Sequence, residues 1–258
     1  MLLPLEHFSL QLAYAHRAAQ MTHLPLEQAL MEFTQYWRRI NNASSLMNNH
    51  SEWSFDPTTP DWHELRTRLQ KGEPADHIAY ELYRRSTHET DDGTTYFGCF
   101  RFDFMAEYQG DSGVIKLHFH NRDHSGYGPL SKQQQSQRLQ DLKSMFASIK
   151  HNFPQARVVI GGSWLYNVHA YTRLFPPAFT INMTVEKVPF PRSSGIWGQF
   201  LDSEGAVKPQ LAGAFLLNVN QAQTVDQLLD CFPFKILFPR AKIEDFYQHF
   251  DIPLQSVR

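Results

Sequence analysis

Two histidines, His118 and His120, stand one residue apart in the run Lys116-Leu117-His118-Phe119-His120-Asn121. Side chains alternate across a β-strand, so Ile115, Leu117 and Phe119 share one face while Lys116, His118 and His120 share the other. Just upstream, Phe100, Phe102 and Phe104 alternate with Arg101 and Asp103, and Gln109-Gly110-Asp111-Ser112-Gly113 supplies a turn, which predicts a hairpin. Matching the apolar sides puts Asp103 across from His118 or His120 and gathers Arg101, Asp103, His118 and His120 into one polar patch. A His-x-His pair on one strand face can place two nitrogens near one ion, with Asp103 adding an oxygen. Arg101 and Lys116 put positive charge beside such an ion. The structural alternative is a network in which Asp103 pairs with Arg101 or a histidine, because a buried polar group left unpaired costs about 1–3 kcal/mol.

Gly161-Gly162-Ser163-Trp164-Leu165 is the second candidate, since ligands in α/β sheets gather beyond the carboxyl ends of central strands. Ser163 lacks the glycine two places later that a nucleophile elbow needs, Leu165 standing there instead. It is expected to cap the next turn or to hydrogen-bond a ligand. Trp164 is expected to pack in the core or to stack on a substrate. The segment His124-Ser125-Gly126-Tyr127-Gly128-Pro129 reads as a connecting loop whose glycines would let backbone approach a ligand.

Several elements must position these residues. Leu26, Ala29, Leu30, Phe33, Trp37 and Ile40 recur at helical spacing and stop at Asn41-Asn42, Asp61 to Glu64 carries a capping-box pattern, and a further helix is predicted from about Asp76 to Arg85. Ser44 to Pro60 reads as a loop. From about Thr94 sheet and helix alternate: the hairpin, a helix with Leu139, Leu142, Phe146, Ile149 and Phe153 on one face, and the short β-branched strand Arg157 to Ile160, which suits the middle of a sheet. A short helix is expected from His169 to Phe175, a strand from Thr180 to Val188, a strand or loop at Ile196 to Leu201, and helices near 208–217, 224–229 and 243–250. The fold expected is therefore α/β (α+β), a mixed β-sheet with flanking helices, with residues 1–90 as an N-terminal helical region and 91–258 as the α/β domain.

Composition narrows the class. A formal net charge of -2 over 258 residues supplies no basic field for nucleic acid. No apolar run approaches the ~20 residues that span a bilayer. The opening Met1 to His7 lacks a basic n-region, so a cytoplasmic protein is expected. Cys99 and Cys231 show no metal-site spacing and read as small packed apolar side chains.

From His118 to Phe179 the chain resembles the GNAT-like C-terminal domain of bacterial proteins labelled acyltransferases. The resemblance rests on His118-Phe119-His120, the glycines Gly126 and Gly128, Leu130-Ser131 opening a helix, Phe153-Pro154 closing it, and Ser163-Trp164-Leu165-Tyr166 after a strand. It covers about a quarter of the chain. His120 replaces the family's proline, Asn167-Val168 stands where Asp-Pro is usual, and the glycine loop by which the wider superfamily holds the CoA pyrophosphate is absent. The resemblance implies a GNAT-like sheet and transfer of an acyl group from an acyl-CoA-type thioester to a small amine or hydroxyl acceptor. On that reading His118 accepts the nucleophile's proton, Asp103 orients it, and Ser163 donates to the thioester or the leaving thiolate. Arg101, His120, Trp164 and Tyr127 are the candidate substrate contacts, and a small molecule is the expected partner. Two rivals stand beside it: a metal-dependent hydrolase built on His118, His120 and Asp103, and a non-catalytic binding or scaffold protein whose aromatic surplus supplies an interface.

Overall fold

The computed structural model describes residues 2–40, 59–86, 95–122, 125–185 and 195–253, excluding the side chains of Trp37 and Arg38. Outside these residues lie the Asn41-Asn42 stop, the expected loop from Ser44 except its last two residues, Asp123-His124, the end of the strand expected up to Val188, and the contribution of Trp37 to the apolar stripe.

Helices come first: α1 (Leu5–Thr22), α2 (Leu26–Phe33), α3 (Tyr36–Ile40), α4 (Pro60–Gln70) and α5 (Ala75–Ser86). Strands β1 (Phe100–Tyr108) and β2 (Asp111–Phe119) form the hairpin, followed by α6 (Gln135–Asn152) and β3 (Val158–Ile160). A 3-10 turn, Trp164–Asn167, leads to α7 (His169–Thr172), α8 (Pro177–Thr180) and β4 (Thr184–Val185). A second 3-10 helix, Gly195–Phe200, occupies the stretch expected to be strand or loop, and α9 (Pro209–Gln221), α10 (Val225–Asp230), β5 (Leu237–Phe238), β6 (Arg240–Lys242) and α11 (Ile243–His249) complete the order. No helix among the described residues is long and apolar enough to cross a membrane. The result is a mixed α/β protein with an N-terminal helical region and a mixed sheet flanked by helices.

The chain divides into two compact units, one made of Met1–Asp92 and Val188–Pro233, the other of Gly93–Lys187 and Phe234–Arg258. The first break falls close to the boundary read near residue 90, whereas 188–233 returns to the helices. Aromatic packing explains that return: Tyr14 of α1 meets Trp197 edge-on at 5.4 Å, Trp197 meets Phe232 at 4.9 Å, and Phe200 meets Phe215 at 4.7 Å, all buried. Such rings each bury about 150–250 Å² and dominate a core, yet nothing local in sequence links Tyr14 to Phe215.

In the second unit four strands form a sheet in the order β1-β2-β3-β6, with β2 and β3 parallel and the other pairs antiparallel, and β4 and β5 form a separate antiparallel pair. A parallel pair needs a long crossover, and α6 supplies it. Phe100, Ile115, Leu117 and Val159 face a core filled by Leu142, Met145, Phe146 and Ile149 of α6 and by Phe246 and Phe250 at α11. Phe146 stacks on Phe246 at 4.5 Å and on Phe250 at 5.5 Å. Helices therefore cover one face of the sheet, and alternation aims Arg101, Asp103, Lys116 and His118 from the other.

Candidate functional site

The hairpin turns on Gln109 (φ 49) and Gly110 (φ 86), two successive residues in the left-handed region. That is the two-residue turn whose twist suits antiparallel strands, and its length fixes the register. Arg101 consequently pairs with His118 and Asp103 with Lys116. The expected placement of Asp103 directly across from His118 or His120 is thus corrected by one pairing step, because the turn is shorter than the five-residue stretch suggested. Asp103 reaches His118 on the diagonal instead, a separation long polar side chains can bridge.

Four side chains are linked in series. Arg101 Nε donates to His120 Nε2 at 3.2 Å, Arg101 Nη1 donates to Asp103 Oδ1 at 2.6 Å, and Asp103 Oδ2 lies 2.7 Å from His118 Nε2. His120, accepting at Nε2, carries its proton on Nδ1. Its backbone N–H donates to the Cys99 carbonyl at 2.8 Å, which extends the ladder one step past β2. Cys99 is held in turn by α6, where Arg138 Nη1 donates to its Sγ and Arg138 Nε stands 3.2 Å from Asp141 Oδ2. The Arg138 to Asp141 contact is not aligned as a hydrogen bond, so its attraction is coulombic. Tyr96 meets the His120 ring edge-on at 5.4 Å, and the Arg122 guanidinium lies 4.1 Å from the Tyr96 ring centre. Sequence reasoning did not single out Tyr96 or Arg122. Each lies outside the alternating runs, and only the folded ends of the hairpin bring them to His120.

The side chains of Arg101, Asp103 and His118 are 18, 24 and 18% exposed, so charges here are partly shielded from water. Burial pushes His118 below the ordinary imidazole range, and Arg101 and Lys116 push the same way, outweighing the opposing pull of Asp103. For Asp103, burial works toward the neutral acid, but the hydrogen bond and charge of His118, with Arg101, prevail and hold the carboxyl down at about 2. His118 is neutral at pH 7, so the permanent charge of Arg101 keeps Asp103 ionised there. In that state His118 donates Nε2–H to Asp103 and has a basic lone pair on Nδ1, which makes no hydrogen bond among the described residues.

The sheet opens beside this imidazole. The last residues of β2 and β3 to pair are Lys116 and Ile160. Beyond them the β3 chain stays bonded to the other neighbour, Gly161 N–H to the Pro239 carbonyl at 3.1 Å and Ser163 N–H to the Leu237 carbonyl at 3.2 Å. β2 runs on through Phe119 beside β1. The two parallel strands therefore part after Lys116, and His118 is two residues into the parting.

Ser163 caps the following 3-10 turn, its Oγ accepting from Leu165 N–H at 3.1 Å. Alternation from Val159 through Gly161 puts it on the core face, opposite His118. Trp164 stacks on Phe234 at 5.9 Å, and Tyr127 is 55% exposed in its loop. The structure thus joins Arg101, Asp103, His118 and His120, while Ser163 is engaged in its own turn, Trp164 lies against Phe234 and Tyr127 stands out from its loop. Among those residues no group of three or more His, Cys, Asp or Glu side chains is arranged to hold a metal ion. Compared with protein-family models, curated proteins and solved structures, the chain matches none.

Proposed function

We propose that this protein transfers an acyl group from a thioester to a small amine or hydroxyl acceptor, with His118 as general base and Asp103 as its positioning residue. The observation that carries the reading is the Asp103-oriented His118 at the point where β2 and β3 separate. Separated strands expose backbone edges, and an extended amide-bearing chain, such as the pantetheine arm of an acyl-CoA, can pair with them. Ligands of α/β sheets gather at such carboxyl ends.

In the reaction the acceptor's N–H or O–H proton passes to His118 Nδ1 as its nitrogen or oxygen attacks the thioester carbonyl. Asp103 stabilises the imidazolium that results. When the C–S bond breaks, the proton moves from His118 to the departing thiolate, and the imidazole is neutral again. Arg101 anchors the carboxylate through the whole cycle. The same guanidinium weighs against a metal-dependent hydrolase, because it fills the space between Asp103 and His120 that an ion would need.

Acetyl-CoA and a longer acyl-CoA at millimolar concentration are expected to raise the melting temperature, since a ligand bound by the native state alone stabilises it. Thiol release in the presence of a panel of amines should then fall by about 10²–10⁴-fold in His118→Ala, the usual contribution of a positioned base. A wild type that neither gains stability nor releases thiol refutes the reading.

A further inference from the structure

Arg39, in the helical unit, differs in what it touches from most of the described arginines, of which Arg84 and Arg122 lie over the rings of Tyr80 and Tyr96. Arg66, Arg68, Arg85, Arg101, Arg138 and Arg240 each stand beside a carboxylate. Arg17, Arg157 and Arg173 donate to backbone carbonyls. The Arg39 guanidinium has a single side-chain hydrogen bond among the described residues, from Nη2 to Gln35 Oε1 at 3.4 Å, which is long and to a neutral acceptor. Its Nε is buried with no partner, and no ion pair reaches it there. Arg39 is half-buried and keeps its charge, so leaving its Nε dry and without an acceptor is costly.

His7 is linked to Arg39 through Gln35 and Gln11, the first bonded to the Arg39 guanidinium and the second to the His7 carbonyl. It is 1% exposed, and neither ring nitrogen has a hydrogen-bond partner. Burial and then the Arg39 charge push its pKa down to about 3, so the ring is neutral and one of its nitrogens carries a hydrogen it gives to nothing. The surrounding polar groups are already engaged. Gln11 donates to the His7 carbonyl and accepts from Gln35 N–H at 2.7 Å, and Tyr83 Oη accepts from Leu3 N–H at 3.2 Å. What remains is a half-buried cation whose Nε lacks an acceptor and a buried neutral imidazole whose N–H lacks one too.

We infer that Arg39 and His7 form a binding site for a small oxyanion, a carboxylate or a phosphate. Such a group supplies what both side chains lack: oxygens that the guanidinium fork can grip in bidentate fashion, one of which can also accept the imidazole hydrogen. The site stands independently of the acyl-transfer reading, since it lies in the other unit and uses none of the hairpin residues.

The test uses the full chain, titrated with inorganic phosphate or acetate against chloride of equal ionic strength. The melting temperature and the ring resonances of His7 in nitrogen-15 NMR are followed together. Both are expected to respond to an oxyanion with one saturation curve and not to chloride, and whichever anion saturates at lower concentration identifies the source. Arg39→Gln should abolish both responses. Arg39→Lys, which keeps the charge and loses the fork, should weaken apparent affinity at least tenfold, and it serves if the Gln variant does not fold. Equal responses to chloride and oxyanion, a wild type indifferent to both, or a Lys variant with unchanged affinity would overturn the inference.

Discussion

Replacing Asp103 with Asn probes the hairpin site most directly, because the substitution keeps the shape of the side chain and removes its charge. The ionised Asp103 accepts charge-assisted hydrogen bonds from Arg101 at 2.6 Å and from His118 at 2.7 Å. Bonds to charged groups contribute about 1.5–3 kcal/mol each, Asn preserves one neutral acceptor, and water reaches a side chain that is 24% exposed. The net destabilisation expected is about 2–4 kcal/mol. In urea, with m taken at about 2 kcal/mol/M, this is a midpoint shift of about 1–2 M with m unchanged. A second readout has a sign of its own. Burial, Arg101 and Lys116 lower the His118 pKa while Asp103 raises it, so Asp103→Asn should push it further down, and Arg101→Gln should push it up. Ring NMR across pH follows both. A loss of stability below about 0.5 kcal/mol, the range of an ordinary surface change, or two shifts of the same sign, would refute the linked geometry.

Acid should weaken the fold in two stages in chloride buffer. His118 and His7 titrate lower when folded than the ordinary 6.5, so the unfolded chain binds protons first. Their contribution is complete above that pH and declines as pH falls below it, in the case of His7 down to about 3, and His7→Leu should flatten the slope of denaturation midpoint against pH. Asp103, ordinarily near 3.8 and held at about 2, adds a second loss between those values. Ser163→Ala should cost about 1 kcal/mol through the lost cap and leave thiol release intact, whereas a large fall in turnover would show that the hydroxyl acts on substrate. Gly161→Ala would set a Cβ 2.2 Å from Tyr166 Oη in the core, and calorimetry should show about 1–3 kcal/mol of overpacking.

The hairpin, its apolar face, α6 and the central position of β3 were legible in sequence, because alternation with period two and helical spacing are local properties. So was the membership of the polar patch, since Arg101, Asp103, His118 and His120 could share a face in any register that buried Phe102 and Leu117. Its wiring was not legible. Whether Asp103 stands opposite Lys116 or His118 depends on where the turn closes, and Gln109 adopting a positive φ beside Gly110 settled that only in the folded hairpin. Tyr96 and Arg122 join the patch through contacts no spacing encodes. The return of 188–233 to the helices likewise depended on packing Trp197, Phe215 and Phe232 against Tyr14, nearly two hundred residues away, and burial of apolar area carries no signature of its partner. Where the pairing of β2 with β3 ends, at Lys116 and Ile160, is likewise a property of the folded sheet and of no local spacing. Local chemistry thus determined which groups were on offer, and long-range hydrogen bonding and burial decided which of them meet.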